Sequence, residues 1–98
     1  MSLEHGWDTM FPILWKRYVK AVGRMREQRK WMEAHGGSIV GYKARMPEDV
    51  TRAEEIYQAD FKVYADYKRE CDVLFGKMLM KEVAAQRRIE RASARVED

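Results

Sequence analysis

The sequence predicts an all-α protein: an antiparallel helical hairpin with a long second helix, oligomeric through its C-terminal half. The 98-residue chain is dense in helix formers, with six glycines and two prolines, and strand signals are nearly absent. The stretch from Pro47 to Val96 has no further proline and a single glycine, Gly76, while apolar residues recur along it at helical spacing. A short connection precedes this stretch, and short connections favour antiparallel neighbours.

Size and composition limit the classes of protein that fit this chain. Residues 1–98 suffice for a single helical domain, and a domain this small buries a limited core, so oligomerisation is a natural supplement. Hydrophobic residues make up 46% and charged residues 36%, which excludes a disordered chain. No apolar run approaches membrane-spanning length, and the N-terminus lacks the features of a signal peptide. A single cysteine agrees with a reducing compartment, so we expect a cytoplasmic protein.

The first helix is expected over residues 8–35, after an arm at residues 1–7 that ends in Trp7. Asp8 can cap the helix, and Pro12 falls in the first turns, where backbone N–H groups have no intrahelical partner. Gly36 and Gly37 supply a left-handed C-cap. One face of the helix is apolar and comprises Phe11, Leu14, Trp15, Tyr18, Ala21, Val22, Met25 and Met32.

Residues 36–46 show no helical period and are expected to form a loop with, at most, a brief extended segment. The second helix is expected over residues 47–96. It begins either at Pro47, which suits a first helical position, or at Thr51, which forms a capping box with Glu54. Its apolar stripe has one heptad position occupied by Val50, Tyr57, Tyr64, Cys71, Met78, Ala85 and Ala92.

The charge pattern also favours an antiparallel hairpin. Residues 16–30 contain seven bases and one acid, whereas residues 48–72 contain eight acids and four bases. Folding back lays the basic segment beside the acidic one, and Asp60 is expected to pair with Arg24 or Arg26. Exposed ion pairs contribute only about 0–1 kcal/mol each, so the pattern selects the topology more than it stabilises the fold.

The two helices differ in length. The first helix is expected to cover the second only to about residue 72, which leaves roughly 24 residues, or about 36 Å, beyond it. This overhang is apolar on all sides, and such a helix is buried on all sides. Either Gly76 breaks the helix and the tail folds back as a third helix, or other chains cover it. We favour other chains, because an interior glycine costs only about 1 kcal/mol. The expected interface of the homo-oligomer comprises Val73, Phe75, Met78, Met80, Val83 and Ala84.

The sequence shows no constellation of catalytic or metal-binding residues. Cys71 lies on the apolar stripe, where a small buried hydrophobic residue is expected, and neither His5 nor His35 lies on the same helix. The histidines form no ligand pair, and the glycines at 36, 37 and 41 lack the lysine and hydroxyl of a phosphate loop. We therefore expect a protein that is not an enzyme, with no cofactor, no metal, no small-molecule substrate and no membrane partner.

The outer face of the first helix is basic. Four bases and an aromatic residue share this face, and they are the candidate nucleic-acid-binding residues: Lys16, Arg17, Lys20, Arg24 and Trp31. Bases beside an exposed aromatic ring suit phosphate contacts combined with stacking or a wedge. The alternative is a solvated face on which Trp31 shields the loop.

The order of these features resembles the small terminase subunits of tailed phages. The resemblance spans most of residues 18–89. It is carried by Tyr18, Ala21, Arg24, Arg26, Glu27 and Trp31, by Glu33-Ala34-His35-Gly36, and by Gly41, Pro47, Ala53, Leu74-Phe75-Gly76 and Arg87-Arg88-Ile89. It implies a ring-forming helical hairpin of the host cytoplasm that binds DNA and regulates the nuclease and ATPase of a large terminase subunit. The sequence lacks that family's clear N-terminal helix-turn-helix. The alternative is a helical protein–protein interaction module, a dimeric adaptor or inhibitor, without nucleic acid.

Overall fold

The computed structural model describes residues 6–97, with side chains as far as residue 94. These residues form four helices and no strand: α1 (Trp7–Met10), α2 (Pro12–Ala34), α3 (Ile39–Arg45) and α4 (Val50–Glu97). α4 packs antiparallel to α2, and α3 packs against the beginning of α4. The predicted all-α class and the long last helix are confirmed.

The beginning of the described chain is anchored, and it does not form a loose arm. Trp7 is the first residue of α1 and is fully buried. Its indole Nε1–H donates a hydrogen bond to Glu82 Oε2 at 2.6 Å, and its ring lies edge-on to Phe75 with the centroids 5.1 Å apart. Asp8 lies inside α1 and caps nothing, because the N-cap position belongs to Gly6, whose φ is 92°. The rest of the predicted arm, residues 1–5, lies outside the described residues.

The predicted first helix is two helices. Phe11 leaves the helical region with φ −132° and ψ 65°, and α2 begins at Pro12, whose missing N–H needs no partner at this position. The predicted end is confirmed: Gly36 and Gly37 have φ values of 125° and 77°, and the Gly37 N–H donates to the Met32 carbonyl at 2.8 Å.

The predicted loop at residues 36–46 contains a helix. Ser38 caps α3, since its Oγ accepts a hydrogen bond from the Gly41 N–H at 3.2 Å. The turn also needs two glycines, because a Cβ on Gly36 would lie 2.6 Å from the backbone N of Tyr42, and one on Gly41 would lie 2.6 Å from the carbonyl C of Gly36. The prediction failed because a helix of seven residues with one buried side chain, Tyr42, shows no period.

The start of α4 lies between the two predicted starts. Asp49 Oδ1 accepts a hydrogen bond from the Arg52 N–H at 3.1 Å, so Asp49 caps the helix and both Pro47 and Thr51 are wrong as starting points. From Val50 the helix then runs through Gly76 for 48 residues without a break. The C-terminal tail therefore does not break at Gly76 and does not fold back as a separate helix.

The core divides into two clusters along the hairpin. The cluster near the open end is built on Ala21, Cys71 and Leu74, with Leu14, Tyr18, Val22 and Met25 packed around it. The cluster near the connection is built on Met32, Tyr42 and Ala53, with Met46, Ile56, Tyr57 and Tyr64 around it. Asp60 contacts the second cluster through Tyr42: it accepts a hydrogen bond from the Tyr42 hydroxyl at 2.8 Å, so its predicted pairing with Arg24 or Arg26 is wrong.

α2 and α1 cover more of α4 than predicted. The Gln28 amide donates to the Asp60 carbonyl at 2.9 Å, and Trp7 reaches Glu82, so the covered part of α4 ends near residue 82 and not near residue 72. α3 causes the shift, because it occupies the first turns of α4 and displaces the end of α2 along that helix. About 15 residues, or about 22 Å of helix, extend past Glu82. The molecule measures 76 × 20 × 20 Å.

Candidate functional site

The predicted nucleic-acid-binding residues are all exposed and lie on one face of α2, and the Trp31 end of this face borders α4, where Tyr67 lines the same groove as Arg24 and Trp31. From Lys16 to Trp31 this basic strip is about 22 Å long. Among residues 6–94, the ion pairs are Lys43–Glu54 at 3.2 Å and Arg69–Asp66 at 4.0 Å, and no base of α2 pairs with an acid of α4. The predicted placement of the basic segment beside the acidic one follows from the antiparallel packing of α2 and α4, but the two segments form no ion pair with each other, and the bases of the strip remain available to a partner.

Trp31 is 54% exposed and has a neighbour of its own. Its ring lies 4.1 Å from the ring of His35 between centroids, and His35 Nδ1 donates to the Trp31 carbonyl at 2.7 Å. The structure thus supports part of the shielding alternative, because one side of the indole is occupied by His35. Trp31 and one base of the strip, Arg24, border the same space. Both line an open groove of about 250 Å³ with Glu27, Gln28 and Tyr67. Lys16, Arg17 and Lys20 continue the strip toward the start of α2.

A second groove, which the sequence did not reveal, lies on the other side of the hairpin. Tyr57, Phe61 and Tyr64 form its floor in a row, with successive ring centroids 6.0 and 6.2 Å apart. The groove has a volume of about 210 Å³, and Arg29, Met32, Glu33 and Gly37 complete its lining. Phe61 is 46% exposed. The available signal was its position at the edge of the apolar stripe, where an aromatic ring is only half covered.

The six predicted interface residues divide into two groups. Met78 is fully buried within the chain, and Phe75 packs between Trp7 and Tyr18, so the chain itself covers both. The other four lie on the exposed side of α4: Val73 is 50% exposed, Met80 75% and Val83 41%, and Ala84 is exposed as well. The division follows from the longer coverage by α1 and α2, which protects one side of α4 and leaves the opposite side open.

Two ionisable groups of the core, the Cys71 thiol and the Tyr42 hydroxyl, have raised pKa values. Burial raises the pKa of the Cys71 thiol, and the carboxylates of Asp72 and Glu70 raise it further. Burial also raises the pKa of the Tyr42 hydroxyl above its ordinary value of 10.0, and the hydrogen bond to Asp60 acts in the same direction. A raised pKa makes Cys71 a poor nucleophile at neutral pH.

The described part of the chain shows neither a metal cluster nor a transmembrane helix. Within it, no three side chains among histidine, cysteine, aspartate and glutamate come together in a way that could hold a metal ion. None of its helices combines the length and the apolar character that crossing a membrane requires.

Comparison with known proteins identifies no relative. No protein-family model matches the chain, and no curated protein or solved structure matches it either.

Proposed function

We propose that the protein is a non-enzymatic helical adaptor that assembles with copies of itself through the C-terminal half of α4 and contacts DNA with the basic strip of α2. This is the role implied by the resemblance to small terminase subunits, with a large terminase subunit as the further partner. One observation carries the proposal: α4 extends past α1 and α2, and the side chains of Val73, Met80 and Val83 are exposed on the side of α4 that faces away from α2, with Met80 75% exposed. Large apolar side chains grouped in this way mark interaction surfaces.

The DNA contact is supported by the charge of the strip. Lys16, Arg17, Lys20 and Arg24 are exposed on one face, and none of them has an ion-pair partner among residues 6–94. Four bases that neutralise four phosphates release counterions, so the logarithm of the association constant should fall with the logarithm of the salt concentration at a slope of about −3.6. A dependence of this kind separates phosphate binding from apolar association.

The DNA contact can be tested by charge reversal. The variant Lys20→Glu with Arg24→Glu should lose binding to a duplex of mixed sequence, measured by fluorescence anisotropy at low salt, and should keep the wild-type mass. The matched control is Lys62→Glu with Lys68→Glu, which changes the charge equally at exposed positions of α4 and should leave binding nearly intact. Equal losses in both variants, or no binding by the wild type, would contradict this part of the proposal.

The assembly can be tested on the open side of α4. Met80→Asp with Val83→Asp should dissociate the oligomer, because it places charges in an apolar contact. A control with matched exposure is Val40→Asp with Val63→Asp: these residues are 72% and 41% exposed, against 75% and 41% for Met80 and Val83. The control should keep the wild-type mass. An unchanged mass in the Met80/Val83 variant would show that this surface does not mediate assembly.

The second groove favours a different function, a protein–protein interaction module without nucleic acid. Its floor is aromatic, and its rim carries one base, Arg29, and one acid, Glu33, which suits a peptide or helix better than a phosphate backbone. This alternative predicts a dimer that carries no nucleic acid and binds no DNA even at low salt. The anisotropy measurement above therefore decides between the two functions.

A further inference from the structure

The open side of α4 carries a narrow apolar stripe. Val73, Gly76, Met80 and Val83 follow one another at intervals of three and four residues, so they lie on one face of the helix. This outer stripe faces away from α2. At its centre Gly76 leaves a gap, since a Cβ built there would have no atom within 4 Å. Met80, the most exposed of the four, lies one turn further on.

Opposite charges flank the outer stripe at its two ends. The carboxylates of Asp66 and Glu70 precede it, and the guanidinium groups of Arg87 and Arg91 follow it. The same polarity extends along the helix: residues 50–72 carry six acids and four bases, whereas residues 77–97 carry three acids and six bases. Asp66 lies 4.0 Å from Arg69, a weak contact between exposed groups, and Arg87 and Arg91 are also exposed.

We propose that a second copy of this chain covers the outer stripe, with the two α4 helices antiparallel about a twofold axis near Met78. Positions equally distant from the axis then face each other. Val73 and Val83 each lie five residues from it, and Gly76 and Met80 each lie two residues from it. The long side chain of Met80 thus enters the gap over Gly76 of the second copy, and the valines pack together outside it. A large side chain opposite a small one allows helices to interlock closely.

The charges select the antiparallel direction. In this arrangement, the acids of one copy face the arginines of the other: Asp66 lies near Arg91, and Glu70 lies near Arg87. A parallel pair would place the acidic segments side by side and the basic segments side by side, which is destabilising. Because the contact is isologous, each of these charge pairs occurs twice in the dimer.

This inference rests on the proposed assembly and specifies its contact surface. α2 packs on the side of α4 opposite the outer stripe, so pairing through the stripe leaves both basic strips on the outside of the dimer. DNA binding and self-association therefore use separate surfaces. An isologous contact closes at two copies, so a larger ring requires a further surface.

The test reverses the charges at one end of the outer stripe in one variant and at the other end in a second variant. One variant carries Asp66→Arg with Glu70→Arg, and the other carries Arg87→Glu with Arg91→Glu. Each alone places like charges opposite each other, so its dimer dissociation constant should rise about 100-fold. An equimolar mixture should form a heterodimer with near wild-type affinity, because each reversed pair then meets its complement. The chain with all four changes should dimerise by itself. The readout is the mass at several concentrations by sedimentation equilibrium, with circular dichroism confirming unchanged helix content.

A second variant tests the stripe without changing any charge. Gly76→Leu replaces the gap with a bulky side chain, so it should weaken dimerisation, whereas it improves helix propensity. A dimer that tightens in this variant would overturn the packing of Met80 over Gly76.

The outcomes separate this inference from the proposed function. A wild-type chain that is monomeric at every concentration would overturn both. An oligomer that persists in the two charge variants would overturn the antiparallel pairing and leave assembly through another surface. Variants that dissociate and do not recombine when mixed would also overturn the pairing.

Discussion

At the residue scale, hydrogen bonds from aromatic side chains explain why two acids, Asp60 and Glu82, lie on the apolar face of α4. Asp60 accepts a hydrogen bond from the Tyr42 hydroxyl, and Glu82 accepts one from the Trp7 indole. Each bond joins a segment outside the α2–α4 pair to α4, and each satisfies the polar tip of a buried ring. The sequence indicated a partner for Asp60 but not its identity, because an arginine on the neighbouring helix and a tyrosine in an apparent loop fit the same position.

The first prediction concerns Trp7. The substitution Trp7→Phe keeps an aromatic ring and removes the hydrogen bond to a carboxylate, so the free energy of unfolding should fall by about 1.5–3 kcal/mol. Urea unfolding monitored by circular dichroism measures the change. The control is Trp31→Phe, at an exposed indole, which should shift stability by no more than about 0.5 kcal/mol. Equal effects of the two substitutions would show that α1 is not anchored to α4.

The second prediction concerns alkaline pH. The pKa of Tyr42 is raised in the folded state, so above the ordinary tyrosine value of 10.0 the unfolded chain loses this proton while the folded chain retains it. The stability that Tyr42 contributes is fully present below pH 10 and declines above it, by at most about 1.4 kcal/mol per pH unit. The difference in unfolding free energy between wild type and Tyr42→Phe should therefore narrow from pH 10 to pH 11.5. A constant difference would contradict the burial of this hydroxyl.

At the element scale, the sequence was most informative where a residue type has a single geometric use. The glycine pair that ends α2 was predicted with its role, because few other arrangements accommodate two such residues. Pro12 was expected within the first turns of a helix that starts at Asp8, but it is the first residue of α2. The start of α4 was not predicted, since Pro47, Asp49 and Thr51 are all acceptable near a helix N-terminus and only the geometry selects Asp49. α3 was missed because its helical character depends on tertiary burial of Tyr42 and on two glycine backbones in contact.

The third prediction concerns that glycine contact. Gly36→Ala and Gly41→Ala should each destabilise the fold by about 1–3 kcal/mol, because each added methyl group would lie within 2.6 Å of backbone atoms of the opposite glycine turn. Gly23→Ala provides the control. Gly23 lies inside α2 with nothing within 4 Å of an added Cβ, so the substitution should stabilise the chain by about 1 kcal/mol. Thermal unfolding shows whether each of the three variants is more or less stable than the wild type. A Gly36→Ala variant of unchanged stability would contradict the close backbone contact between Gly36 and Gly41.

At the scale of the whole molecule, the register of the hairpin decides which residues remain for partners. The sequence predicted a long second helix with an uncovered end, and the structure shows such an end. The sequence alone did not show how much of α4 is covered by the rest of the chain. That length depends on α3 and on α1, which protects Phe75 and Met78 from solvent. What remains exposed is the outer stripe and most of residues 83–94, where Ile89 is 65% exposed. Similarly, the sequence predicted that Phe61 lies at the edge of the apolar face of α4 that packs on α2. Only the packing of the hairpin shows the groove that contains its ring.

We propose above all that this helical hairpin assembles with copies of itself through the open side of α4. The most direct test is the mass in solution, by size-exclusion chromatography with light scattering and with absorbance read at 260 and 280 nm, for the wild type and for Met80→Asp with Val83→Asp. We expect the wild type to elute as an oligomer and the variant to elute at the 11.6 kDa mass of one chain. A wild-type monomer, or a variant with the mass of the wild type, would contradict this proposal.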